Sequence, residues 1–289
     1  MEIRKILVPL NGQYAPEDPA SLDAPALQSA VLLGRKLDAE LEVLCVIKPA
    51  RQEATSWIDW IPDYGLDMAI EGLDRQRAVR RRNAKKSFDT HIAPKIGIDG
   101  LRATFVESEG DIRATVGAAG RFSDLIVVAS SQSQWDLPFR PILDAALHES
   151  ARPVFVSPEV APATLGNHVT IAWNNSPEAA RALAGAMPIL RIATSVSVLS
   201  CKEQDRRQDA TDLESVIAYL DMHGVKAKGK QIIAQHPRPA KEIIDAAIAL
   251  GADLLVLGSV VHSRAHSLVY GSLTEEVLKA PRLSALLVP

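Results

Sequence analysis

Cysteine is scarce in this 289-residue chain, and its scarcity excludes two classes of protein at once. Only Cys45 and Cys201 are present, each beside an apolar strand-like run, so neither a disulfide framework nor a cysteine-based metal site follows. Two buried, reduced thiols are expected, as in a cytoplasmic protein. Positive charge is not in surplus either: 32 Lys and Arg against 35 Asp and Glu leave a formal net charge of -3, with a pI near 6.2. Nucleic-acid and membrane-surface binders normally carry a basic excess, so neither role is expected of the chain as a whole. The opening apolar run ends at Asn11, and no later one approaches the roughly eighteen residues that span a bilayer, so a soluble, untargeted chain is expected. Also missing are a Gly-x-x-x-x-Gly-Lys phosphate loop, a Gly-x-Gly-x-x-Gly dinucleotide fingerprint and a Gly-x-Ser-x-Gly nucleophile elbow. No catalytic constellation stands out.

What is present is a repeat. Lys5-Ile6-Leu7-Val8-Pro9-Leu10-Asn11-Gly12 is echoed by Val169-Thr170-Ile171-Ala172-Trp173-Asn174-Asn175-Ser176, each an apolar strand closing on Asn. Alanine-rich helical patterns follow, Ala24 to Leu37 and Pro177 to Leu190, and then second strands, Leu41 to Ile47 and Ser195 to Leu199. Downstream, Ser123-Asp124-Leu125-Ile126-Val127-Val128 matches Ala252-Asp253-Leu254-Leu255-Val256-Leu257, and the segment from Arg152 to Pro158 matches the closing Leu283 to Pro289. Strands without polar alternation, alternating with helices, predict parallel sheets covered on both faces. The fold class expected is α/β, two tandem doubly wound domains of five parallel strands, residues 1–160 and 165–289. They are joined by the proline- and small-residue-rich stretch from Ser157 to Asn167. Ligands of such sheets bind at the carboxyl ends of the strands, where the strand order reverses, and both Asn174 and Gly258 are expected there.

The segment from Asp253 to Gly258 runs into a loop that reaches Gly271-Ser272 and a helix start, with Ser272 as N-cap and Glu275 in capping-box position. A buried strand ending in glycine, followed by a helix N-terminus, suits phosphate groups. Ser259, His262, Ser263 and Arg264 add donors and a positive charge, and the Arg264 guanidinium could pair with a phosphate. His262 and His266 have the spacing of a helical metal pair, but no third ligand follows and the segment reads as a loop; no protein metal site is expected.

Together the strands ending at Asn11 and Asn174, the Asp-Leu strands at Asp124 and Asp253, and the pattern Gly258…Gly271-Ser272 resemble a tandem member of the universal stress protein family. The resemblance implies an adenine nucleotide alpha hydrolase-like fold and a non-catalytic, cytoplasmic stress-response protein. In its nucleotide-binding members the pattern Gly, two residues, Gly, nine residues, Gly, then Ser or Thr wraps the phosphates of ATP. Transferred here, it implies adenine near Trp173 and Asn174, phosphates along Gly258, Ser259, Gly271 and Ser272, with His262 and Arg264 nearby, and Mg arriving with the nucleotide. It also implies dimerisation through the last strands, so that Val154 to Val156 and Ala285 to Val288 would pair within one chain as a pseudo-dimer; a homodimer is a further option. The chain departs from the pattern in three ways. Val261 replaces the second glycine, Asn174 replaces the usual Asp, and in the first half Ala129-Ser130-Ser131-Gln132 and Arg140-Pro141 replace the glycines. The first half is therefore expected to be a degenerate structural partner. A nucleotide-free interaction module and a slow ATPase are the alternatives.

Two further features stand apart from the repeat. The basic run from Gln76 to Lys86 is expected on the solvated face of an amphipathic helix from about Asp67 to His91, not as a nucleic-acid site. Trp57, Ile58, Trp60, Ile61 and Tyr64 gather aromatics in a chain that is only 4% aromatic, and are expected to form a flap over the first cleft, with a binding patch for a ligand or partner as the alternative. Gly117 and Gly120 precede a strand and are expected at a helix contact.

Overall fold

A computed structural model describes residues 2–13, 21–49, 63–129, 139–202, 213–235, 239–259, 261–264, 267–279 and 282–289. The first half runs β1 (Lys5–Leu10), α1 (Ala24–Leu37), β2 (Glu40–Ile47), α2 (Asp63–His91), β3 (Arg102–Glu109), α3 (Ile112–Arg121), β4 (Leu125–Val128), α4 (Phe139–Glu149) and β5 (Val154–Val156). The second runs β6 (His168–Trp173), α5 (Pro177–Leu190), β7 (Ser195–Lys202), α6 (Leu213–Met222), β8 (Ala227–Ile233), α7 (Ala240–Ala249), β9 (Leu254–Gly258), β10 (Val261–Arg264), β11 (Ser267–Tyr270), α8 (Ser272–Lys279) and β12 (Ala285–Val288). The aromatic cluster from Trp57 to Ile61 lies outside the described residues, as does the Tyr64 side chain.

Valine, leucine and isoleucine without polar alternation must be covered on both faces, and they are. Ile6 and Val8 of β1 enter one core with α1, α2, α5 and α6, whose Leu27, Phe88, Leu183 and Leu220 pack there. Leu7 enters the opposite core with α3, α4, α7 and α8, through Val116, Leu147, Ile244 and Val277. Each half places its first strand centrally, with parallel neighbours on either side. The strand order β3-β2-β1-β4-β5-β12-β9-β6-β7-β8 makes one ten-stranded sheet, parallel within each half and antiparallel only where β5 meets β12. At that seam Phe155 pairs with Leu286, both fully buried.

The Asp-Leu repeat has a local cause. Asp124 accepts hydrogen bonds from the backbone N–H groups of Arg4 (2.9 Å) and Lys5 (3.0 Å), and Asp253 accepts them from Asn167 and His168 (3.0 Å each). Each carboxylate thus fixes the start of the strand beside its own. The linker is held from the first half, where Lys36 Nζ donates to the carbonyls of Leu165 (3.1 Å) and Gly166 (2.6 Å) and to Asn167 Oδ1 (2.6 Å). Gly117 and Gly120 of α3 do mark a helix contact, packing against Glu149 and Ser150 at the end of α4.

Two local expectations change. The stretch between Gly258 and Gly271 contains an antiparallel hairpin, with Val261 opposite Tyr270 and His262 opposite Val269, in place of an open loop. Extended backbone is where a β-branched residue such as Val261 belongs, whereas a phosphate loop needs glycine. Helix α8 begins at Ser272, and the Glu275 N–H bonds to the Gly271 carbonyl (2.9 Å), so Gly271 and not Ser272 sits at the cap.

Candidate functional site

Where the strand order reverses between β6 and β9, the second half opens a cavity of about 340 Å³. Five of the eight expected site residues line it: Trp173, Asn174, Gly258, Gly271 and Ser272. Ser259 is buried beside it, its N–H bonded to the Val288 carbonyl (2.8 Å) and its Oγ without a partner among the described residues. The backbone of His262 and Arg264 lies in β10; their side chains lie outside the described residues.

The cavity has two chemically distinct walls. Ala172, Leu199, Leu257 and Ile243 make an apolar side that Trp173 extends. The other side is built from helix N-termini: Ser176 and Glu178 of α5, Pro239 before α7, and Gly271 to Thr274 of α8 all line the space. The leading N–H groups of a helix have no partner within it, and each N-terminus carries roughly half a positive charge. In α5 some of that donor capacity is spent locally, since Ser176 Oγ accepts from Ala179 N and Asn174 Oδ1 accepts from Ser176 N, both at 3.2 Å. Asn174 therefore acts in this structure as a turn-forming residue. Trp173 is half-buried, and its indole Nε1 is a buried donor without a partner among the described residues. Such a group costs about 1–3 kcal/mol until an acceptor reaches it. A flat, partly apolar molecule with an anionic tail matches this division.

Two features oppose a polyphosphate at Gly258. Glu178 puts a carboxylate on the lining, held below its ordinary range chiefly by its own backbone N–H, with Ser176 and Arg181 assisting. Gly258 itself lies in extended strand backbone, and a Cβ there would sit 2.5 Å from the carbonyl carbon of Glu178. The absence of a side chain is required by the approach of α5. Glu178, Cys201 and Thr274 were not anticipated as lining residues; Ser176-Pro177-Glu178 signals a helix start in sequence but does not say what the helix end faces. Cys201 is half-buried at this wall, whereas Cys45 is buried as expected.

The corresponding place in the first half is differently filled. Gly12 has the left-handed backbone (φ 64°) that Asn175 has in the second half (φ 58°), at the same position after the strand. Helix α2 lies directly over it: a Cβ on Gly12 would be 2.3 Å from the Arg80 carbonyl oxygen, and Arg80 Nε donates to the Asn11 carbonyl (3.0 Å). The basic run of α2 is thus not all solvated. Arg80 is half-buried, and only 14% of the Arg77 side chain is exposed. Beneath them Asp23 is fully buried and accepts from Asn11 N (3.1 Å) and Gly12 N (2.9 Å), and burial pushes its carboxyl up to about 6.

No helix among the described residues is long and apolar enough to cross a membrane. The search of curated proteins gave no match. Among solved structures the chain is similar to a universal stress protein from Archaeoglobus fulgidus DSM 4304, with 17% identity over 98% of this chain and 97% of that one and a TM-score of 0.69. It is also similar to a functionally unknown protein from Pseudomonas aeruginosa PAO1, with 17% identity over 99% and 92% of the two chains and a TM-score of 0.56. These likenesses show that the α/β fold is shared over nearly the whole chain. The sequence model of the Universal stress protein family matches residues 167–289, the part that holds the cavity, and these residues form a domain of that family.

Proposed function

We propose that the second-half cavity binds an adenine nucleotide, ATP in the first instance, and that the chain is a non-catalytic, cytoplasmic stress-response protein. The observation that carries this reading is the meeting of three helix N-termini with an apolar wall on which the Trp173 indole N–H is buried and, among the described residues, unpartnered. The base would lie against Trp173 and Asn174. The phosphates would be served by Gly271, Ser272 and the first N–H groups of α8, with Ser259, Gly258, His262 and Arg264 at the margin and any Mg ion brought by the nucleotide. The first half, residues 1–160, would serve as structural partner to residues 165–289, and the antiparallel β5–β12 seam would make the chain a pseudo-dimer, open to further homodimerisation. Denaturing freshly purified protein and chromatographing the supernatant tests this directly. A stoichiometric adenine nucleotide is expected, as is loss of ATP binding by calorimetry in Gly271→Leu; an empty supernatant together with flat ATP calorimetry would overturn it.

A second reading, a nucleotide-free interaction module, is favoured by the Glu178 carboxylate in the lining, by the packing of Gly258 on α5, and by the hairpin that holds Val261. The same supernatant decides between the two.

A further inference from the structure

We propose that the first half carries a site of its own for a small phosphate monoester bearing hydroxyl groups, in the cavity between the β1–α1 turn and helix α2. This cavity measures about 510 Å³ and belongs to neither the second-half cleft nor the sheet seam. Residues 75, 76, 79, 80 and 83 share one face of α2 by helical spacing, and that face looks onto Gly12 and Gln13. Two guanidinium groups, Arg75 and Arg80, and the carboxamides of Gln13, Gln76 and Asn83 therefore line it, and among the described residues no carboxylate does.

Arg80 is the residue that gives the cavity its chemistry. Its Nε is engaged by the Asn11 carbonyl at 3.0 Å, which fixes the plane of the guanidinium. Its two Nη groups have no hydrogen-bond or ion-pair partner among the described residues. Three neighbouring arginines are matched by contrast: Arg75 with Glu71 (3.2 Å), Arg77 with Asp74 (3.0 Å) and Arg81 with Glu107 (3.0 Å). The carboxylate whose charge Arg80 feels, Asp23, is buried and already accepts the N–H groups of Asn11 and Gly12. An oriented guanidinium with two donors to spare suits the paired oxygens of a phosphate. The carboxamides, each both donor and acceptor, suit hydroxyl groups on the ester's organic part.

Titration calorimetry of the full chain with glucose 6-phosphate, with glucose as the neutral control, tests the site. Saturable binding of the phosphate ester alone is expected. It should weaken at least about tenfold in Arg80→Gln and in Asn83→Leu, the loss of one charge-assisted or oriented hydrogen bond, and remain unchanged in Gly271→Leu, which alters only the second-half cavity. Circular dichroism melting establishes whether Arg80→Gln is folded; if it is not, Asn83→Leu decides alone. The proposal is overturned by absence of saturable binding to the wild type, by equal binding in the folded variants, by equal binding of glucose, or by loss of binding in Gly271→Leu. That last outcome would put the ester in the second-half cleft.

Discussion

Replacing Gly258 by alanine separates two reasons for having glycine at the end of β9. If glycine is needed so that a phosphate can approach the backbone, Gly258→Ala should lose nucleotide and keep its stability. The structure predicts otherwise. The added Cβ would lie 2.5 Å from the carbonyl carbon of Glu178, 2.6 Å from its oxygen and 2.7 Å from its Cβ. Carbon–carbon contacts are comfortable at about 3.5–4.0 Å, so the start of α5 must retreat by roughly 1 Å. It has little freedom to do so, because two of the three atoms are backbone and the turn is fixed by the Ser176 cap and by Pro177. Overpacking of this kind costs about 1–3 kcal/mol. The smaller unfolded-state entropy of alanine returns about 0.4–1 kcal/mol. With a backbone clash placing the first figure at its upper end, a net loss of about 2–2.5 kcal/mol is expected. Thermal unfolding should register it as a fall of about 2–4 °C per kcal/mol for a cooperative unit of 150–250 residues. A variant that melts with the wild type would refute the packing explanation and return Gly258 to a ligand role.

Gly72 supplies the contrary case: it lies inside α2 with open space around its Cβ position and no left-handed backbone, so Gly72→Ala should stabilise by about 0.5–1 kcal/mol in urea unfolding. A neutral or destabilising result would mean that α2 does not persist as a helix there. Asp23 predicts a pH dependence, because burial raises its folded-state value to about 6 from 3.8 and the native state then holds a proton that the unfolded state has lost. The stability this contributes is complete below about 4 and is lost as pH rises through 6, by about 3 kcal/mol in all. Asp23→Asn removes that component, so the stability difference between wild type and variant should move in the variant's favour between pH 4 and pH 7; a difference independent of pH would refute the assignment.

Much of the fold was legible in the sequence because its causes are local or repeated. Apolar runs without alternation announced parallel strands, and the echo of Asp124 in Asp253 announced two equivalent halves, each with a carboxylate tying the start of its first strand. The location of the cavity was legible too, since it follows from where the strand order reverses, and Trp173, Asn174, Gly258, Gly271 and Ser272 all line it. What could not be read were contacts between segments far apart in the chain. Nothing near Gly258 in sequence says that residue 178 presses on it, and nothing in the helical period of α2 says that Arg80 reaches the Asn11 carbonyl 69 positions away. The hairpin from Val261 to Tyr270 was missed for another reason: the glycine pattern drew attention to a ligand loop, while Val261 and the pair Val269-Tyr270 carried ordinary strand propensity.

The two halves show how one backbone plan can end in different sites. After the first strand of each, the chain takes a left-handed turn, at Gly12 in one and Asn175 in the other. In the second half that turn runs directly into α5, and the N-termini of α5, α7 and α8 face an open cavity. In the first half the insert between β2 and β3 supplies a 29-residue helix whose backbone stands against Gly12 so closely that no Cβ would fit. The requirement for glycine has moved accordingly, from the end of the ninth strand in one half to the turn after the first strand in the other. In both places it answers to a helix and not to a phosphate. Among the described residues, recognition is then left to what lines the remaining space: helix N-termini and an indole in one half, and a guanidinium with two donors to spare in the other.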